Sequence, residues 1–70
     1  MPDDTLFALR AELAHAWNYT DQQYELACRR HAPITEVREL RAAARAACLA
    51  VVQFDEAHPE VIDALNRWRA

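Results

Sequence analysis

The sequence predicts an all-α protein: a long antiparallel helical hairpin with a short C-terminal helix. Three observations lead there. The 70 residues contain no Gly and only 3 Pro. Two long segments carry apolar residues in steps of three and four, the repeat of one helix face. The chain between them is too short to do anything but reverse direction.

The central segment is Ile34 to Ala57, ITEVRELRAAARAACLAVVQFDEA. It is crowded with Ala, Arg, Glu and Leu, the strongest helix formers. Val37, Leu40, Ala44, Ala47/Cys48, Val51 and Phe54 form one stripe along it. The first helix is expected over about residues 4–30. Asp or Thr caps its start, and acids there suit the helix dipole. Its stripe reads Leu6, Leu9, Leu13, Ala16/Trp17, Thr20, Tyr24 and Ala27/Cys28. Asn18-Tyr19-Thr20-Asp21 is poor helix material, and Thr20 with Gln23 matches a capping box. The stripe nevertheless crosses this stretch in register, which favours one helix over two.

His31-Ala32-Pro33 is the turn. Pro33 disfavours helical geometry at Ala32 and suits the opening of the next helix, with Thr35 a competing cap. His58-Pro59 ends the second helix in the same way. Residues 60–68 read as a third helix, with Val61/Ile62, Leu65 and Trp68 on one side. Asp63 and Arg67 are spaced to pair on the other.

A turn centred near Ala32 sets opposite each other residues whose numbers sum to about 65. Arg10 then faces Asp55, Trp17 faces Cys48, and Cys28 faces Val37. Large residues of the first helix meet alanines of the second, as close packing requires. Cys28 and Cys48 stand roughly 16 Å apart along the axis, too far for a disulfide. Both are read as buried, inert thiols.

Length and composition bound the function. One small domain is all that 70 residues make. Such a domain buries only about 60% of the surface its unfolded chain exposes. Yet 53% of the residues are hydrophobic. That surplus predicts a homodimer, doubling the hairpin into a four-helix-type bundle, and/or a separate protein partner. No run is long and apolar enough to span a membrane. The acidic start MPDDTLFALRAEL lacks the basic opening of a signal peptide, so a cytoplasmic location is expected.

The net charge is −3, and all 8 basic residues are Arg. Arg38, Arg41 and Arg45 lie on one helix face, with Arg29 and Arg30 near the same end. Glu25, Glu36 and Glu39 balance them as an ordinary solvated face would. Used functionally, this stripe grips an acidic protein surface or, as the alternative, nucleic-acid phosphates. Trp68, flanked by Arg67 and Arg69, is either the lid of the core or a partner anchor.

The remaining chemistry is thin. Asp55-Glu56-Ala57-His58 gathers carboxylates and an imidazole, but Asp55 is better used pairing with Arg10 and His58 capping its helix. Glu12, His15 and Tyr19 are close in helical spacing without a nucleophile or oxyanion hole. Cys28 has electropositive neighbours in Arg29, Arg30 and His31. No catalytic residue, metal site or cofactor is expected. The function expected is a small non-enzymatic interaction module: an adaptor, a regulator, or an inhibitor of the kind phages encode. A small metalloprotein or enzyme ranks third.

Overall fold

A computed structural model describes residues 4–69 as three helices with no strand among them. Helix α1 runs Asp4–Arg29, α2 Ile34–Ala57 and α3 Pro59–Arg69. The hairpin and the short third helix match the sequence reading, with each boundary within one residue of it. Helices α1 and α2 pack along their length, and α3 folds onto the open end of α2.

Helix α1 is unbroken through Asn18–Asp21. The Thr20 hydroxyl, instead of capping a new helix, turns back on the preceding turn. It reaches the carbonyls of Ala16 at 3.0 Å and Trp17 at 2.9 Å. A Thr inside a helix satisfies itself this way without stopping it.

The turn uses a device that the sequence hides. His31 has φ 55°, the left-handed region that glycine normally fills. Ala32 N–H donates to the Ala27 carbonyl at 3.0 Å, and His31 N–H to the Cys28 carbonyl at 3.3 Å. Those two bonds are a Schellman ending, in which a left-handed residue lets the chain cap its own last carbonyls. Pro33 then opens α2 in extended geometry, its carbonyl accepting from Val37 N–H at 3.1 Å. Thr35 lies inside α2 and plays no capping part.

At the other end, His58 N–H donates to the Phe54 carbonyl at 2.9 Å, and the His58 carbonyl accepts from Val61 N–H at 3.1 Å. One residue thus closes α2 and opens α3. Its ring lies 4.7 Å from that of Phe54, and its Nδ1 sits 3.4 Å from a Glu60 carboxylate oxygen.

The register is fixed by one cross-hairpin pair. Arg10 Nε donates to Asp55 Oδ1 at 2.7 Å and Nη2 to Oδ2 at 3.2 Å. This two-pronged contact is the geometry a guanidinium and a carboxylate prefer. It is the pairing expected for a turn centred at Ala32.

The inward rows follow from it. On α2 the row is Val37, Leu40, Ala44, Ala47, Val51, Phe54 and His58, all buried or half-buried. On α1 it is Leu6, Arg10, Leu13, Trp17, Thr20, Tyr24 and Ala27, all but the exposed Trp17 buried or half-buried. Both step alternately by three and four, a seven-residue repeat. Such a row drifts about 20° per repeat around a straight helix.

That drift corrects two expectations. Leu9 was placed on the inward stripe and stands outside it, 41% exposed, because Arg10 takes the seam position to reach Asp55. Cys28 was expected buried and is exposed. By the fourth seven-residue repeat the seam lies on Ala27, which is fully buried. Cys48 is half-buried, and both thiols are free.

The core is thin. Among the described residues, Ala27, Ala44, Val51, Phe54 and Val61 are the buried hydrophobic ones. Val61 of α3 is fully enclosed and anchors that helix. The predicted Asp63–Arg67 pair is not among the ion pairs made.

Candidate functional site

The five arginines singled out in the sequence divide into two groups. Arg29 pairs with Glu25 at 3.3 Å along α1, and Arg30 pairs across the turn with Glu36. These two are locally neutralised. Both pairs are exposed, and such contacts are individually weak. Arg38, Arg41 and Arg45 are exposed and make no ion pair among the described residues. The expected balance by Glu36 and Glu39 therefore does not reach them: Glu36 is spent on Arg30, and Glu39 lies on another face of the helix.

The stripe does not stop at Arg45. Continuing in steps of four, three and four along α2, the next residues are Leu49, Val52 and Glu56, all exposed. Leu49 is 54% and Val52 43% exposed. The same helical spacing that picked out the arginines contained this continuation, but as apolar and acidic residues they did not register as part of a charge run. One helix edge thus reads three cations, two apolar side chains and an anion.

Beyond Val52 the edge meets α3. Val52, Pro59 and Ile62 line an open groove of about 340 Å³, with Asp55, Glu56 and Asp63 around it. Asp55 is committed to Arg10. Glu56 and Asp63 are exposed and make no ion pair among the described residues.

Trp68 combines the two roles considered for it. Its ring stacks on Phe7 with centroids 5.1 Å apart and planes 20° apart, so it closes the open end between α1 and α3. Yet 69% of it is exposed. It covers one face and offers the other. The rest of the apolar surface is spread over Leu9, Trp17, Tyr19, Leu26 and Ile34. Trp17, expected opposite Cys48, is 39% exposed.

Glu12, His15 and Tyr19 are all exposed. Among the described residues, no group of three or more His, Cys, Asp or Glu side chains is placed to hold a metal ion. No helix among the described residues is long and apolar enough to cross a membrane. In comparisons with known proteins, no family model, curated protein or solved structure matches this chain.

Proposed function

We propose that this chain is a non-enzymatic protein-interaction module, working as an adaptor, regulator or inhibitor. The supporting observation is surface that the fold does not cover. A compact monomer of this mass exposes about 4,450 Å². This chain exposes 5402 Å², a surplus of about 950 Å². One partner's share of a standard protein interface is about 800 Å². The uncovered surface includes Leu49, Val52 and Trp68, beside arginines that make no ion pair among the described residues. Aromatic residues and Arg dominate interface energetics. A second copy is one such partner, and it turns the hairpin into a four-helix bundle.

The test is affinity capture from the native host by wild type and by a Leu49→Ser/Val52→Ser variant. Both residues are exposed, so the fold survives their change. The wild type should retain a defined protein, itself included, in a saturable way, and the variant should lose it. Identical capture by both overturns the reading.

The alternative, a nucleic-acid-binding regulator, is favoured by one observation: Arg38, Arg41 and Arg45 have no carboxylate partners among the described residues. Phosphate contacts produce affinity that falls steeply with salt. A gel shift showing no complex at low ionic strength removes it.

A further inference from the structure

From the outer edge of α2 we infer that the chain pairs with a second copy of itself, antiparallel, about a two-fold axis passing between Cys48 and Leu49. This rests on the interaction-module reading and names the partner.

A two-fold interface places the same patch on both subunits, so the patch must complement itself. The α2 edge has that property. Its exposed order is Arg38, Arg41, Arg45, Leu49, Val52, Glu56. Turned end for end about the Cys48–Leu49 midpoint, Leu49 of one copy meets its counterpart at the centre, and Val52 falls level with the aliphatic stem of the other copy's Arg45. Arg41 of each copy falls opposite Glu56 of the other, both about 11 Å from the axis at 1.5 Å per residue. Arg38 and Arg41 then lie over the partner's groove, where Glu56 and Asp63 flank a floor of Val52, Pro59 and Ile62. Arg side chains suit such a groove, laying the aliphatic stem on the floor and the guanidinium against the carboxylates.

Charge supports the arrangement independently. Arg38, Arg41, Arg45, Glu56 and Asp63 make no ion pair within the chain among its described residues. The three cations occupy one half of the edge, and Glu56, with Asp63 of α3 lining the same groove, lies at the other end. A parallel pairing sets like charges together, and the antiparallel one sets Arg41 against Glu56 at both ends.

Charge reversal in two separate chains tests this. Arg41→Glu alone faces Glu56 across the axis with Glu. Glu56→Arg alone faces Arg41 with Arg. Each homodimer is repelled twice, whereas a mixture of the two variants restores both attractive pairs. Sedimentation equilibrium should show wild-type dimers and each variant weakened roughly tenfold or more. The equimolar mixture should return to within about threefold of wild type as a heterodimer. Circular dichroism confirms that each variant keeps its helices.

Wild type that sediments as an 8.0 kDa monomer at high micromolar concentration overturns the proposal. So do variants that dimerise unchanged, or a mixture that fails to recover. The broader module reading fails separately, on the capture experiment with the Leu49/Val52 variant.

Discussion

At the scale of single residues, His31 carries the clearest conformational cost. An L-residue with a Cβ held at φ 55° gives up about 1 kcal/mol relative to glycine. The Schellman bonds of Ala32 and His31 offset it. His31→Gly should therefore stabilise the chain by about 0.5–1 kcal/mol, which for a domain of this size raises Tm by several degrees. A melting temperature at or below wild type counts against this account of the turn. Arg10 and Asp55 offer a second measurement. Their side chains are 21% and 30% exposed, so neither water nor salt screens the pair fully. A double-mutant cycle with Arg10→Met and Asp55→Asn should give a coupling of about 1 kcal/mol in urea unfolding. Zero coupling indicates that the pair records the register without strengthening it.

At the scale of elements, the three helices hold on unequally. Helices α1 and α2 share a seam along their whole length, while α3 is tied down by Val61 and by Trp68 on Phe7. Val61→Ala removes two methyl groups from a fully enclosed site, which costs about 2 kcal/mol. Amide hydrogen exchange should show α3 opening first in the wild type, and losing most of its protection in this variant while α1 and α2 keep theirs. Protection lost uniformly over all three helices means that α3 is integral to the hairpin. The elements themselves were legible in the sequence, because Pro33 and Pro59 mark both breaks and the stripes run on without interruption. Thr20 shows where local signals mislead: its hydroxyl can cap a helix or bond backwards inside one, and only the packing of Tyr24 and Ala27 beyond it decides. The αL residue at the turn was not legible, since without glycine nothing in HAP distinguishes His31 from an ordinary helix end. Cys28 and Leu9 were misplaced because an untwisted stripe ignores the drift of a seven-residue seam, and because an arginine was not expected on it.

At the scale of the whole molecule, the shape is a rod. Its extents are 47 × 22 × 16 Å and its radius of gyration 14.8 Å, against about 11 Å for a compact domain of equal length. Most contacts are local to a helix or join partners across one turn, so folding should be fast. Temperature-jump relaxation in the microsecond to millisecond range is expected. A refolding phase of seconds argues that assembly, not hairpin closure, limits the rate. The Arg38-to-Glu56 edge belongs to this scale too. Its arginines were picked out from the sequence, but its acidic half was not. Recognising it requires knowing that Asp55 is already spent on Arg10 while Glu56 and Asp63 are not, and that α3 sets Asp63 on the same groove as Glu56.

The stacking of Phe7 against Trp68 brings the two described ends of the chain together at one pole of the rod. Linking them with a few flexible residues and cutting the backbone at Ala32 yields a circular permutant with every helix intact. In that rearranged chain α1 and α2 meet only through their seam, so its stability reports how much of the hairpin is held by side chains and how much by the four residues that join them at the opposite pole.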